Sequence, residues 1–150
     1  MPAAGDAAPV FEGVQDNGEP IGLSDYQGKW LALYFYPKAD TPGCTKQACS
    51  LRDAISELTG EGIHILGVSI DSVEDQAAFK AKYSLPFPLL ADKDGTVSRA
   101  YGVAFPGRLF ARRITFLISP EGRIADIINQ VDVKGHADQI RSAHQAHGAR

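Results

Sequence analysis

The sequence predicts an α/β fold in which a mixed β-sheet is covered by helices. The apolar runs "KWLALYFYP" and "GIHILGVSI" each predict a buried strand, and apolar residues recur at helical steps of three and four between them. A strand-helix-strand unit favours parallel pairing. Further on, "RITFLIS" and "RIADIIN" flank the turn "PEG" and predict an antiparallel pair. Both kinds of pairing in one chain indicate a mixed sheet.

The first element in chain order is a hairpin, because Asn17-Gly18 lies between two short extended pieces. Ser24 is a candidate cap for the turn that follows. The helix between the buried strands is indicated by one apolar stripe and ends at Gly60. The stripe consists of Ala48, Leu51, Ile55 and Leu58.

The second half of the chain continues this alternation. "SVED" at 72–75 has the spacing of a capping box and predicts a helix that runs to about Tyr83. The two prolines of "LPFPLLAD" end that helix and leave a short strand, and the tail from about Lys134 has a weak helical pattern. The order of elements predicts a thioredoxin-like layout, a mixed central sheet flanked by helices with an N-terminal β-hairpin extension.

Length and composition predict a single domain over residues 1–150. The chain is 44% hydrophobic, and its 15 Lys+Arg and 18 Asp+Glu give a net charge of -3 without a run of like charges. This balance does not predict binding to nucleic acid or to an anionic membrane. The N-terminus has no signal-peptide pattern, and no segment approaches the roughly 18 apolar residues of a membrane span. We therefore expect a soluble, cytoplasmic protein.

The stretch "YPKADTPGCTKQACSLRD" holds both cysteines of the chain, Cys44 and Cys49. In a reducing cytosol such a pair is more often catalytic or metal-bound than structural. Cys44 falls on the apolar stripe at the first turn of the helix, where free N–H groups and partial positive charge stabilise a thiolate. Pro42 suits a first helical turn, and Gly43 lets the backbone approach a small ligand closely.

The spacing of the two cysteines has its own consequence. Five residues at a rise of 1.5 Å separate their Cα atoms by roughly 8–9 Å in an intact helix. A disulfide needs about 4.4–6.8 Å, so a bond between these sulfurs requires the first turns of the helix to unwind. For Cys49 alone, a purely structural role is as good an interpretation. A metal site is disfavoured, because His64 falls in a strand and the other histidines lie in the tail.

This stretch resembles the peroxidatic loop of peroxiredoxins of the AhpC/TSA superfamily, specifically the bacterioferritin-comigratory or peroxiredoxin Q branch. The family pattern Pro-x-x-x-Thr-x-x-Cys is met by Pro37, Thr41 and Cys44, and Cys49 matches a common resolving position of that branch. The likeness extends from "GDAAPVFEG" through "ILGVSIDSVEDQ" to "RITFLISPEGRI".

The family's active-site arginine lies in an Arg-x-Thr-Phe strand motif, which matches Arg113 in "RITF" rather than Arg112. Strand alternation places Arg113 and Thr115 on the face opposite to Ile114 and Phe116. The sequence departs from the pattern at two positions, with Ser119 where the family often has Asp and Gln47 where Glu is common. We expect neither departure to carry the peroxide chemistry, and the 102–112 stretch lies where the family varies.

The resemblance implies a thiol-dependent peroxidase that reduces hydrogen peroxide and organic hydroperoxides without metal or cofactor, in antioxidant defence. Cys44 would attack the peroxide and become a sulfenic acid, and Cys49 would resolve it as an intramolecular disulfide. Thioredoxin or a similar dithiol protein would reduce that disulfide, as in an atypical 2-Cys enzyme. Members of the branch are mostly monomers and sometimes dimers.

The implied site has further members around the reacting sulfur. Thr41, Arg113 and the N–H groups near Gly43 would bind the peroxide and stabilise the charge that moves along its O–O axis. Thr41 can hold its hydroxyl over the sulfur or over a bound oxygen atom. Pro37 would shield the sulfur of Cys44 from bulk water.

Other interpretations remain beside this one. A thioredoxin-like protein disulfide oxidoreductase is disfavoured, because such proteins usually need Cys-x-x-Cys, and a binding module with inert cysteines is a third possibility. The tail histidines His136, His144 and His147 are predicted to be solvated surface rather than a metal site. Phe105 and Phe110 are predicted to be satellite core rather than a rim that favours organic hydroperoxides.

Overall fold

The computed structural model describes residues 1–104 and 110–147, which form a sheet of seven strands with helices on both faces. The strands are β1 (Glu12–Gln15), β2 (Pro20–Gly22), β3 (Trp30–Phe35), β4 (Ile63–Ser69), β5 (Leu89–Ala91), β6 (Thr115–Ile118) and β7 (Ile124–Ile128). The helices are α1 (Pro42–Asp53), α2 (Ile55–Gly60), α3 (Val73–Tyr83), α4 (Thr96–Ala100) and α5 (His136–His147), and a 3₁₀ turn covers Leu23–Tyr26.

The strands follow the order β2-β1-β5-β4-β3-β6-β7 across the sheet. Strand β3, which lies inside the sheet, pairs in parallel with β4 and antiparallel with β6. β4 also pairs in parallel with β5, whereas the β1–β2 hairpin and the β6–β7 pair are antiparallel. The predicted mixed sheet, its parallel strand-helix-strand unit and its N-terminal hairpin are confirmed, and with them the thioredoxin-like layout.

Alternation along β3 divides the apolar interior into two layers. Leu31, Leu33 and Phe35 belong to one layer, whereas Ala32 and Tyr34 belong to the other. The second layer lies beneath α1 and α5 and contains apolar side chains of both helices, namely Cys44, Ala48 and Leu51 of α1 and Ala137 and Ile140 of α5. The end of β3 and the start of α1 therefore meet above this second layer.

The predicted helix from the cysteine loop to Gly60 is interrupted at Ala54, where α1 ends and α2 begins. Ala54 has φ -102° and ψ 7°, outside the α-helical region, and its N–H is shared between the carbonyls of Ser50 and Leu51. Leu51 and Leu58 are both fully buried across this break, so the apolar stripe holds although the helix is not continuous.

Two further local predictions need correction. Ser24 does not cap the turn, because it lies inside the 3₁₀ segment and the carboxylate of Asp25 accepts the N–H of Gly22 at 2.8 Å instead. The short helix α4 was not predicted, since five residues are too few to show a helical period. It is held at its start by Asp92, which accepts the N–H groups of Val97 and Ser98 at 3.0 and 2.8 Å.

The prediction that the tail histidines are solvated is wrong for two of the three. His136 is fully buried and His144 is 5% exposed, because α5 packs one face onto the sheet and both rings lie on that face. The ring of His144 packs edge-on against Trp30 with centroids 5.0 Å apart. His147 is exposed and lies 3.4 Å from a carboxylate oxygen of Asp126.

Part of the predicted variable stretch at 102–112 lies outside the described residues, including Phe105. Phe110 is described and is partly buried.

In the described ranges no helix has both the length and the apolar character that a membrane crossing requires. The same ranges contain no cluster of three or more His, Cys, Asp or Glu side chains arranged to hold a metal ion.

Candidate active site

Cys44 lies where the chain passes from β3 into α1. Thr41 is the N-cap residue of α1, and Pro42 is its first residue, so Cys44 lies in the first turn. The side chain is a free thiol with 1% exposure and packs in the layer that also contains Tyr34 and Ala48. Backbone N–H groups of a first turn have no partner within their helix. The sulfur is therefore largely withdrawn from water beside unpaired donors.

Arg113 brings a positive charge to this sulfur. The residue lies two positions before β6, and the antiparallel pairing of β6 with β3 brings it beside the start of α1. Its Nη2 donates to Sγ of Cys44 at 3.3 Å, and its Nη1 donates to Oε1 of Gln47 at 2.6 Å. Because a guanidinium is a planar fork of donors, these two contacts fix its orientation. Arg112, by contrast, is exposed.

Gly43 makes room for this approach. A Cβ atom at position 43 would lie 3.1 Å from Nη2 of Arg113, closer than such contacts normally are. The absence of a side chain therefore lets the guanidinium reach the sulfur. The sequence predicts that Gly43 lets a ligand approach the backbone, and in the structure the same position also admits the arginine.

Thr41 and Pro37 lie in the loop that precedes α1. Oγ1 of Thr41 donates to the carbonyl of Lys38 at 2.8 Å, so its hydrogen is used within the loop and its oxygen is left as an acceptor. The side chain does not cap α1, and the helix start is closed by the carbonyl of Thr41, which accepts the N–H of Thr45 at 2.8 Å. Pro37 is partly buried at the beginning of the loop.

Carboxylates anchor this loop to the rest of the fold, and sequence reasoning did not find them. Oδ2 of Asp71 accepts the N–H of Ala39 at 2.8 Å. Asp40, which adopts a positive φ of 60°, contacts Nζ of Lys82 at 3.0 Å and the hydroxyl of Tyr83 at 2.8 Å. The bonds from Lys82 and Tyr83 hold the pKa of the Asp40 carboxyl below its usual value. Both anchors fix the path of the loop toward α1.

Gln47 is the site residue whose importance the sequence analysis underestimated. It is fully buried and accepts a hydrogen bond from Arg113, so it takes part in holding the guanidinium. A signal was present in the sequence, because Gln47 lies three residues after Cys44 and hence on the same helix face.

Cys49 lies further along the same helix and is partly buried, also as a free thiol. α1 is continuous over both cysteines, from Pro42 to Asp53. Next to Cys49, Oγ of Ser50 donates to the carbonyls of Gln47 at 2.9 Å and Val133 at 3.1 Å, which ties α1 to the segment before α5.

Below the two thiols lies a pair of buried tyrosines. The rings of Tyr34 and Tyr36 stack with centroids 5.3 Å apart. The hydroxyl of Tyr36 donates to Oε1 of Gln76, whereas the hydroxyl of Tyr34 has no hydrogen-bond partner among the described residues. Burial raises the pKa of both Tyr34 and Tyr36 well above the ordinary value of a phenol. Both phenols are therefore neutral at physiological pH.

The fold and the site define a thioredoxin-like protein with a buried thiol at a helix start and an arginine beside it. The AhpC/TSA family matches residues 4–127 of the chain. A relative from Coxiella burnetii, described as a putative peroxiredoxin bcp, is 47% identical over 142 residues, which cover 91% of this chain and 94% of the relative.

Two solved structures from other bacteria resemble the fold closely. Peroxidoxin BcpB from Mycobacterium tuberculosis has a TM-score of 0.90 and 34% identity, covering 97% of this chain and 98% of its own. The bacterioferritin comigratory protein of Xanthomonas campestris, studied for its alkyl peroxide reduction activity, has a TM-score of 0.84 and 37% identity, covering 91% and 90%. The chain belongs to the AhpC/TSA family, in the Bcp or peroxiredoxin Q branch. Family membership supports a peroxidase that acts on peroxides.

Proposed function

We propose that the protein reduces hydrogen peroxide and organic hydroperoxides with Cys44 as the peroxidatic thiolate. The observation that carries this proposal is the 3.3 Å contact between Nη2 of Arg113 and the buried Sγ of Cys44 at the start of α1. A cation and a helix N-terminus next to a sulfur both favour its ionised, nucleophilic form. The alkyl peroxide reduction for which the Xanthomonas relative was studied supports the inclusion of organic hydroperoxides.

The first step is a displacement at oxygen. The thiolate of Cys44 donates an electron pair to one peroxide oxygen, the O–O bond breaks, and the other oxygen leaves as an anion that takes up a proton to become water or alcohol. Cys44 is thereby oxidised to a sulfenic acid. Arg113, the oxygen of Thr41 and the N–H groups around Gly43 bind the peroxide and stabilise the developing charge, and Pro37 shields the sulfur.

The second step consumes the sulfenic acid. The thiol of Cys49 attacks the oxidised sulfur of Cys44, a disulfide forms and water leaves. Because α1 is intact over both residues, its first turns must open for this contact. A dithiol protein such as thioredoxin then reduces the disulfide by exchange, which returns two electrons to the chain. This cycle suits antioxidant defence in a reducing cytoplasm.

We expect the protein to be able to act as a monomer, because the residues that the proposed first step uses already contact one another within a single chain. Cys44, Gly43, Gln47 and Arg113 contact one another within the described residues. Dimer formation would therefore be compatible with activity but not required for it.

The test is mass spectrometry of the intact protein after one equivalent of hydrogen peroxide. We expect an internal disulfide in the unmodified chain, one added oxygen on Cys44 in Cys49→Ser, and no fast thiol loss in Cys44→Ser. The three samples thus assign the two cysteine roles separately. Retention of all free thiols in the unmodified protein would refute the peroxidase, and a stable sulfenic acid there would refute resolution by Cys49.

A further inference from the structure

A chain of buried polar side chains runs behind Arg113, away from the reacting sulfur. It passes from Arg113 to Gln47, then to His136 at the start of α5, and ends at Thr115 of β6. We propose that His136 is a positioning residue that fixes the amide of Gln47, and through it directs the guanidinium of Arg113 to Cys44. The inference rests on the proposed function of Cys44.

The distances show that the chain is continuous. Nη1 of Arg113 lies 2.6 Å from Oε1 of Gln47, and Nε2 of Gln47 lies 3.1 Å from Nδ1 of His136. The other ring nitrogen of His136, Nε2, lies 2.8 Å from Oγ1 of Thr115. Gln47, His136 and Thr115 are each fully buried, so water does not compete for these bonds.

The donor inventory allows a single direction for this chain. A guanidinium has only donors, so the oxygen of the Gln47 amide must face Arg113 and its NH₂ group must face His136. Nδ1 of His136 must then accept, which leaves the ring proton on Nε2, where it is donated to Thr115. The orientation of Gln47 is therefore determined by an acceptor on α5, a different element from the one that carries the reacting thiol.

The ring is held in its neutral form. Burial and the positive charge of Arg113 lower the pKa of His136 to about 3. A protonated ring would carry hydrogens on both nitrogens and would present a donor to the donor group of Gln47. The ring of Tyr34 packs edge-on against His136 with centroids 5.9 Å apart, and this contact keeps the imidazole in place.

The same bond joins α1 to α5. Gln47 lies between Cys44 and Cys49, so the opening of α1 that the disulfide requires must break its bond to His136. His136 therefore acts on the two steps in opposite directions. It favours attack on peroxide by orienting Arg113, and it opposes disulfide formation by holding α1 closed.

A matched pair of variants separates positioning from simple core filling. In His136→Asn the side-chain oxygen can take the place of Nδ1 and accept from Gln47, whereas in His136→Gln the amide lies near the place of Nε2 and can contact Thr115. We expect His136→Gln to lower the rate constant of Cys44 oxidation by hydrogen peroxide by up to roughly tenfold, the upper end of the scale for one hydrogen bond between neutral groups. Disulfide formation should become faster in the same variant. His136→Asn should stay within about twofold of the unmodified protein in both steps.

Rapid-mixing fluorescence of Trp30, the single tryptophan, together with quenched mass spectrometry, would follow the two steps. In a Gln47→Met background, His136→Gln should add no further loss, because the link that it breaks is already absent. Equal effects of the Asn and Gln variants, or additive effects of the changes at positions 47 and 136, would overturn the inference.

Nitrogen NMR of the unmodified, reduced protein gives a readout that does not depend on activity or on the folding of a variant. We expect His136 to be neutral with its proton on Nε2, and a proton on Nδ1 would overturn the inference. If the unmodified protein does not consume peroxide, the proposed function fails while this tautomer remains testable. If it does consume peroxide and the variants behave alike, only the role of His136 fails.

Discussion

At the scale of single residues, the site depends on how closely a cation can approach a sulfur. The guanidinium of Arg113 reaches Cys44 across the position where any side chain at 43 would begin. Gly43 has no positive φ, so its backbone would accept another residue without strain. The glycine is needed for space rather than for its conformational freedom, and this distinction can be tested.

The substitution Gly43→Ala should lower the rate at which the protein reacts with hydrogen peroxide, and it should leave the fold intact. The new Cβ would push Nη2 of Arg113 away by a few tenths of an ångström, and since a misplacement of about 1 Å can cost a hundredfold, we expect a loss of up to roughly tenfold in rate. Alanine is also favoured over glycine within a helix by about 0.5–1 kcal/mol, so thermal stability should not fall. The measurements are the rate constant with hydrogen peroxide and the melting temperature.

Gly60→Ala provides the control for this prediction. Gly60 lies in α2, and a Cβ atom at this position would meet no atom within 4 Å. This variant should keep the rate of the unmodified protein. If Gly43→Ala reacts with peroxide as fast as Gly60→Ala, the contact between Arg113 and Cys44 does not limit the reaction.

Residue types near the thiol could be predicted from sequence, but their partners could not. Cys44, Thr41 and Arg113 could be proposed as site residues because they lie in short motifs that resemble those of a known family. His136 was misjudged because a weakly amphipathic tail does not show which face packs inward, and only the docking of α5 brings its ring to Gln47. The role of Gln47 likewise depends on a contact with Arg113, which lies 66 positions away in the chain.

At the scale of elements, the proposed mechanism gives α1 two tasks that conflict. As a helix it offers its first turn to Cys44, and as an opened segment it must bring Cys49 to the same sulfur. Its ties to neighbouring segments run through Gln47 to His136 and through Ser50 to Val133. Under the proposed mechanism, each tie stabilises the closed form that reacts with peroxide and must be released before the disulfide can form.

Hydrogen exchange can detect this opening directly. In the reduced protein the first turn is closed by the bond from Thr45 N–H to the carbonyl of Thr41, at 2.8 Å. We expect the amides around residues 45–49 to lose protection when the disulfide forms, while the amides of β3 and β4 keep theirs, because their pairing in the sheet is not involved. Exchange measured by mass spectrometry on peptides would locate the change.

Peroxide-treated Cys49→Ser is the reference state for that experiment. It carries oxidised Cys44 without a disulfide, so α1 should remain protected. Equal protection in this variant and in the oxidised unmodified protein would mean that the helix does not open, and resolution by Cys49 would then have to be abandoned.

Helices and strands could be predicted where their sequence pattern, a period or a cap, extends over enough residues to be recognised. β3, β4 and α3 have clear periods or caps, and the cap at Ser72 is present, with its hydroxyl accepting the N–H of Asp75 at 3.2 Å. The break at Ala54 has no marker residue such as Pro or Gly, and α4 depends on the buried carboxylate of Asp92 rather than on any period. Short or packing-dependent features of this kind have no signal in the sequence alone.

At the scale of the whole molecule, the site lies on one of two apolar layers separated by the sheet. The layer that contains the site is tightly packed. A Cβ on Gly67 of β4 would approach the ring of Tyr34 to 2.8 Å, so only glycine leaves room for that ring. Tyr34 in turn contacts both Tyr36 and His136. The thiol, the polar chain behind Arg113 and the aromatic packing thus rest on the same few strands.

Replacing each of the two stacked tyrosines by phenylalanine should change the free energy of unfolding in opposite directions. Tyr36→Phe leaves Oε1 of Gln76 buried without its donor, and we expect a loss of about 1–3 kcal/mol in the free energy of unfolding. Tyr34→Phe removes a hydroxyl that has no partner among the described residues, and should stabilise the protein by about 1 kcal/mol. Urea unfolding of the reduced protein measures both. Since each ring keeps its size and its packing, the two variants control for one another, and equal destabilisation by both would show that the hydroxyl of Tyr34 is hydrogen-bonded in solution.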